Sequence, residues 1–225
     1  MPGYNEEEII EDNVLKVYEY MKDYCPFEII IVDDNSDDDT NEIGTRLAKE
    51  YEEIKYIECF QGPSRRENLA VAFSEAKGDI IIFMDMDLAT DIFFLPRLIH
   101  PIKMLQYDIA IGNRYDESSY TKRELSRLII SRCYNWFIMF YFGSKLIDHQ
   151  CGFKAFKKDV ILDLVKDAGY DEGYERGWFW DAEILIRAQD KGYEIIEIPV
   201  VWFAGKKTSY SLRREIKMIK YMLRW

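Results

Sequence analysis

Apolar residues at Ile10, Val14, Val17 and Met21 recur at intervals of three and four, which predicts an amphipathic helix over 6–23. The rhythm then changes. Phe27-Glu28-Ile29-Ile30-Ile31-Val32 is short, β-branched and almost continuously apolar, as in a strand covered on both faces of a parallel sheet. Helical spacing returns with Ile43, Leu47 and Tyr51, predicting a helix over 38–52. Ile54–Phe60 reads as a strand, 65–76 as a helix and Asp79–Met84 as a third apolar strand. A helix after Pro96 and a strand at Asp108–Ile111 continue the alternation. Strands and helices in turn imply an α/β fold with a doubly wound sheet.

Beyond Asn113 the pattern is less regular. One long helix is expected over 122–142, ending in the aromatic block Trp136-Phe137-Ile138-Met139-Phe140-Tyr141-Phe142, which reads as core. Short strands around Ile147 and Gly152–Phe156, helices near 158–166 and 180–190, a strand at Tyr193–Pro199 and a helix over 210–224 follow. No repeat or linker divides the chain, so 1–225 reads as one domain. A doubly wound sheet normally opens with a strand, whereas this sequence opens on the turn that should follow one. The expectation is a sheet lacking its first strand.

Charge adds a second layer. The 30 basic and 41 acidic residues give a net charge of −11, the wrong sign for a nucleic-acid binder. The distribution is lopsided: residues 1–62 hold 5 basic and 18 acidic side chains, residues 206–225 hold 7 basic and 1 acidic. In that tail Leu212, Ile216, Ile219 and Leu223 share one helical face, flanked by Arg213, Lys217, Lys220 and Arg224. A basic amphipathic helix of this kind suits an anionic membrane surface. No run of about 18 apolar residues exists to cross a bilayer, and no secretory leader is read at the start. Cys25, Cys59, Cys133 and Cys151 form no Cys-x-x-Cys pair and read as reduced thiols of a cytosolic protein. His100 and His149 lack partners at ligand spacing and read as structural.

Ligands of open α/β sheets bind beyond the carboxyl ends of the strands. Two acidic clusters fall there, Asp33-Asp34-Asn35-Ser36 and Asp85-Met86-Asp87. Residues two apart in an extended segment point the same way, so Asp85 and Asp87 are expected to face one ligand. A solvated turn is the plainer alternative. Carboxylates without nearby His or Cys suit Mg²⁺ or Mn²⁺, which complete their shells with water and substrate phosphates. Asp37, Asp38 and Asp39 suit a helix N-terminus, whose dipole attracts negative charge.

These segments carry a resemblance. PGYNEEE at 2–8, IIIVDDNSDDDT at 29–40, GDIIIFMDMDLATD at 78–91 and IGNR at 111–114 resemble, in order, the signatures of inverting glycosyltransferases of the GT-A fold. DHQCGFKAF at 148–156 and WFWDAEILIRAQDKGYEIIEIPVVW at 178–202 continue the likeness, closest to the dolichyl- or polyprenyl-phosphate sugar synthases. The resemblance implies that Pro2, Tyr4 and Glu6 hold the nucleotide, that Asp33 or Asp34 reads the base, and that Asp85 and Asp87 bind the metal. It implies that Arg114 faces the phosphates, that Arg127 engages the lipid phosphate, and that Gln150, Cys151, Gly152 and Phe153 form an acceptor-side loop. Asp181 and Glu183 match an Asp-x-Glu where many relatives keep a general base. By the same likeness 1–113 is the nucleotide-sugar half, 114–205 the acceptor half and 206–225 a basic tail.

Departures bear on the donor. Ala89 stands where mannosyl relatives commonly keep a polar residue, Met86 replaces a small one, and Pro63-Ser64-Arg65-Arg66-Glu67 replaces a glycine-lysine-glycine run. Leu88-Ala89-Thr90 with Gln150-Cys151-Gly152-Phe153-Lys154 leans toward glucosyl-type synthases and UDP-sugars over GDP-mannose. The expected activity is metal-dependent, inverting transfer of a sugar from a nucleotide diphosphate to a polyprenyl or dolichyl phosphate, peripheral to the cytosolic face of a membrane. Two alternatives stand beside it: transfer to a sugar hydroxyl in polysaccharide or glycan assembly, and a non-catalytic, membrane-associated nucleotide-sugar-binding protein.

Overall fold

The computed structural model describes residues 1–60, 66–170, 176–205 and 218–225. In the first half the expected alternation is present: β1 (Pro2–Gly3), α1 (Ile10–Met21), β2 (Ile29–Asp33), α2 (Thr40–Glu50), β3 (Ile54–Glu58), α3 (Leu69–Glu75), β4 (Ile80–Met84), α4 (Leu95–Met104) and β5 (Ile109–Asn113). The second half holds β6 (Tyr120–Lys122), α5 (Leu125–Phe142), β7 (Phe153–Lys157), α6 (Lys158–Ala168), α7 (Phe179–Asp190), β8 (Ile195–Pro199) and β9 (Val201–Phe203).

Three parallel strands stand in the order β1-β2-β3, and four more in the order β4-β7-β5-β8. Strand β7 runs antiparallel to both neighbours, while β5 and β8 are parallel. Helices cover both faces. Ile10, Val14, Val17 and Met21 of α1 pack with Leu95, Leu98, Ile99 and Ile102 of α4 on one side of the strands. Leu69 and Phe73 of α3, Ile161 and Leu164 of α6 and Leu185 of α7 form the core on the other. Between β2 and β4 the sheet is interrupted. Among the described residues only Pro2 and Gly3 form a strand there, opposite Val32 and Asp33, so β1 is a stub at the carboxyl end of the sheet.

Two expectations are corrected. No strand forms around Ile147: the backbone N–H groups of Ile147 and Asp148 donate to the Glu197 carboxylate and that of His149 to Asn135 Oδ1, so side chains satisfy what a ladder would have. The aromatic block is only half core. Ile138 is buried, but Trp136, Phe140 and Tyr141 are 66%, 78% and 52% exposed. Of the C-terminal helix, 206–217 lie outside the described residues. The described turn, 218–222, packs Met218, Tyr221 and Met222 onto Ile138, Phe179 and Ile186, leaving Ile219 and Leu223 outward. The short pair β6–β9 has no counterpart in the apolar pattern, because three-residue strands carry too few positions to show a period.

Candidate active site

The carboxyl end of β2 is tied to the loop after β1. Asn5 N–H donates to Ser36 Oγ (2.9 Å), Glu6 N–H to Thr40 Oγ1 (2.8 Å), and Asp37 N–H to Asn5 Oδ1 (3.0 Å). Asn5 and Asn35 adopt left-handed φ of 56° and 65°, which asparagine tolerates better than most residues. Asp38 Oδ1 accepts from Thr40 N–H at the start of α2, as its acidic run implied. Asp33 is fully buried and accepts from Ser36 N–H and Oγ–H and from Tyr56 Oη–H. Burial, then the Asp33 carboxylate, pushes the Tyr56 phenol well above its ordinary range, keeping it a donor. Asp33 therefore braces the loop. Its neighbour Asp34 stands at the surface side, oriented by Asn68 Nδ2–H (2.7 Å). Tyr4 is exposed and Pro2 lies in β1, one position before Gly3, where a Cβ would lie 3.4 Å from Glu6 Cγ and 3.5 Å from Met86 Cε.

Asp85 follows β4 directly, but 85–88 is a turn closed by Leu88 N–H to Asp85 O (3.2 Å) rather than an extended segment. The alternation argument for Asp85 and Asp87 therefore fails, and other contacts place the two carboxylates. Asp85 leans over Gly152, where a Cβ would lie 1.7 Å from its Oδ2, and Asp85 N–H donates to Gly152 O. Asp87 reaches Gly205, where a Cβ would lie 2.4 Å from its Oδ2, and its Oδ1 accepts from Ala89 N–H. Leu88 has φ 48°, a costly conformation for a leucine, held by the strap Thr90–Trp202 and by Phe203 N–H to Ala89 O (2.8 Å). Met86 is buried and its carbonyl accepts from Asn13 of α1 (2.9 Å). Two carboxylates brought against two Cβ-free backbones are a donor set that fits one hard divalent cation sharing its shell with phosphate oxygens. Among the described residues no group of three His, Cys, Asp or Glu side chains forms a closed metal cage.

After β5, Arg114 is buried and makes a bidentate pair with Asp148, Nε–Oδ2 and Nη2–Oδ1 both 2.7 Å, between the rings of Tyr115 and Trp202. Burial alone would raise the Asp148 carboxyl, but Arg114 more than offsets it and holds the group below the usual carboxylate range. Sequence reasoning missed Asp148 as this partner, and it missed Arg123. That guanidinium stands 5.4 Å from the Trp202 ring centroid, with Nε buried and unbonded. Burial first, then repulsion from Arg114 and also from Arg127, lowers its pKa. Arg127, at the start of α5, is 37% exposed with Glu124 a loose 3.8 Å away. The four-residue spacing of Arg123 and Arg127 at a helix start was the available signal.

The remaining predicted residues lie deeper. Gln150 is half-buried, while Cys151 and Phe153 belong to the core. Burial, then Asp148, pushes the Cys151 thiol up to about 12, too high for a nucleophile. Asp181 and Glu183 face opposite ways on α7. Asp181 pairs with buried Lys154 (2.9 Å), and Glu183 binds Arg187 and the Tyr221 hydroxyl. His149 is buried between Ser144 Oγ and Asn135 Oδ1, consistent with a structural role.

Known proteins resemble this chain in sequence and in fold. The chain is 36% identical over 219 residues to Glycosyltransferase AglD of Haloferax volcanii, covering 96% of this chain and 34% of that protein. It is 29% identical to Dolichyl-phosphate beta-glucosyltransferase of Saccharomyces cerevisiae, covering 98% of this chain and 71% of the yeast protein. It thus spans about a third of the archaeal relative. Among solved structures, glucosyl-3-phosphoglycerate synthase of Mycobacterium tuberculosis, crystallised with Mn²⁺, UDP and phosphoglyceric acid, superposes with a TM-score of 0.69 at 17% identity, covering 99% of this chain and 75% of that one. That likeness shows a shared GT-A fold. The profile of glycosyl transferase family 2 matches residues 1–165, and the chain belongs to that family.

Proposed function

We propose that this chain transfers a sugar, with inversion, from a nucleoside diphosphate sugar to a polyprenyl or dolichyl phosphate. The donor half is 1–113 and the acceptor half 114–205. Asp34, steadied by Asn68, reads the base. Asp85 and Asp87 are the residues that would hold Mg²⁺ or Mn²⁺, which would supply positive charge to offset that of the departing diphosphate. The donor in this reading is a UDP-sugar rather than GDP-mannose, with a glucosyl group as in the names of the dolichyl-phosphate relatives.

The observation that carries the acceptor class is the contrast between cations and bases. Arg123, over the Trp202 ring, and partly exposed Arg127 offer guanidinium edges for phosphate oxygens, whereas Asp181, the base a hydroxyl acceptor would need, is buried against Lys154. A phosphate monoester arrives already ionised and needs its charge offset, not a proton removed. Flanking Arg127, Leu125, Ile129, Cys133, Trp136 and Phe140 form one exposed stripe along α5, at spacings of four, four, three and four. This stripe is the face we assign to the cytosolic surface of the membrane, where a lipid acceptor resides; no described helix is long and apolar enough to cross it.

The test compares variants with polyprenyl phosphate, UDP-sugar and Mn²⁺, reading UDP release. Arg127→Ala should lower kcat/KM by about 10²–10³, the cost of one charge-assisted contact, and Asp181→Asn by less. A larger loss in Asp181→Asn, with free sugars glycosylated instead, would overturn the reading in favour of a hydroxyl acceptor. Absence of UDP release with either acceptor class would favour a non-catalytic binding protein.

A further inference from the structure

A buried series of charges links the turn at 218–222 to the donor side of the molecule. At its centre is Arg176, just ahead of α7, with a side chain 4% exposed. Its Nη2–H donates to Ala168 O at the end of α6 (2.8 Å), and its guanidinium carbon lies 5.3 Å from the Tyr221 ring centroid. Nε and Nη1 are buried without a hydrogen bond. Instead Nε stands 3.6 Å from Glu67 Oε1, and Nη1 stands 3.7 Å from Glu183 Oε1. Both carboxylates are buried. Glu183 also accepts from the Tyr221 hydroxyl (3.0 Å) and from Arg187 Nη2–H (2.8 Å). Glu67 belongs to the 3₁₀ turn 66–68, beside Asn68, whose side-chain amide donates to Asp34 (2.7 Å).

We propose that Arg176 and Glu67 are positioning residues for the nucleotide base. They fix Asn68, and through it Asp34, and they make donor affinity depend on how the turn at 218–222 is seated. This rests on the reading in which Asp34 contacts the base. Stability does not account for the arrangement, since a buried ion pair of loose geometry gains little over apolar side chains of the same volume. What the pair supplies is location. A three-residue 3₁₀ turn has poor internal hydrogen bonding, so an anchor outside it decides where Asn68 stands, and a carboxylate buried beside a guanidinium has one favourable place.

The far end of the series is Tyr221. Its hydroxyl shares Glu183 with Arg176 and Arg187, and its ring covers the Arg176 guanidinium. Displacing the turn would let water reach the cluster and weaken every charge contact in it. Coupling of this kind is reciprocal: if seating the turn tightens nucleotide binding, the nucleotide tightens the seating by the same factor.

The experiment measures by calorimetry, with Mn²⁺, the affinity of the whole chain for UDP and for inorganic pyrophosphate, which lacks the base. Glu67→Gln keeps the shape and removes the charge. It should weaken UDP at least about fivefold and leave pyrophosphate within about twofold, as should Asn68→Ala. Equal losses for both probes in Glu67→Gln would show general damage and overturn the assignment. Because Glu67 acts through Asn68, the double variant should stay within about twofold of Asn68→Ala alone; full additivity would overturn it as well. Tyr221→Phe should weaken UDP at least about threefold in the parent chain and less than about twofold beside Asn68→Ala. An equal loss in both backgrounds would break the link to the turn, and this pair of measurements decides should Glu67→Gln fail to fold. Asp34→Ala separates the proposal from the reading beneath it. Undiminished UDP affinity there would overturn base contact by Asp34 and the proposal with it, whereas a loss there with none in Glu67→Gln would overturn the proposal alone.

Discussion

Replacing Gly152 by alanine tests how the carboxylate pair is positioned. A Cβ there would lie 1.7 Å from Asp85 Oδ2 and 2.3 Å from Asp85 Cγ. Ordinary contact begins near 3.4 Å, so the carboxylate must retreat by about 1.7 Å, the difference. Metal–ligand distances are held to within about 0.2 Å, so the displaced oxygen no longer serves the same ion. Misplacement of about 1 Å is enough to cost roughly 10²-fold in rate. We expect Gly152→Ala to lose at least about 100-fold in activity and most metal-dependent UDP affinity by calorimetry. Its Tm should fall by no more than about 4 °C, since turning one partly exposed side chain costs about 1 kcal/mol. The decisive arm is a cycle with Asp85→Ala. Once Asp85 is gone the new methyl has nothing to displace, and Gly152→Ala should cost little more. Full activity in Gly152→Ala, or an undiminished loss in the Asp85→Ala background, would refute the reasoning.

Two further outcomes follow from burial. Burial lowers the His149 pKa from 6.5 to about 4, so between those values the unfolded chain takes up a proton that the folded one does not. Stability should fall as pH drops from 6.5 toward 4, by about 3 kcal/mol in all, and urea midpoints from pH 7.5 to 4.5 should show a shallower fall in His149→Gln; an identical slope in both would remove His149 as the cause. On α5, the double change Trp136→Glu and Phe140→Glu alters side chains 66% and 78% exposed. It should spare Tm while lowering flotation with anionic vesicles at least about tenfold; unchanged flotation would exclude the stripe as a membrane contact.

What could be read from the sequence was whatever one element encodes by itself. β2 and β4 announce themselves because strands covered on both faces become unbroken apolar runs, and α1 because one face is buried and the other wet. The site was legible as far as strand ends dictate it, which places Asp33, Asp34, Asp85 and Asp87 at one edge. Relations between distant segments were not legible. Nothing in 85–87 reveals that Gly152 and Gly205 make room for the two carboxylates, and nothing near Arg114 reveals Asp148. On α5 the difficulty is of another kind. The helix is apolar nearly all round, a pattern that ordinarily means burial, and periodicity cannot report that Leu125, Ile129, Trp136 and Phe140 are exposed.

The pairing of Arg114 with Asp148, 34 residues apart, also constrains how such a protein can change. Neither residue can be exchanged alone without stranding the other's charge in the interior, at a cost of about 3–5 kcal/mol against a total stability of roughly 5–15. Drift at one position is therefore blocked until the other has moved, and the two behave as a single inherited character. The same holds at the bench. An acceptor loop transplanted from a relative into this scaffold will be tolerated only if it brings an acid to position 148, or if Arg114 is replaced in the same step.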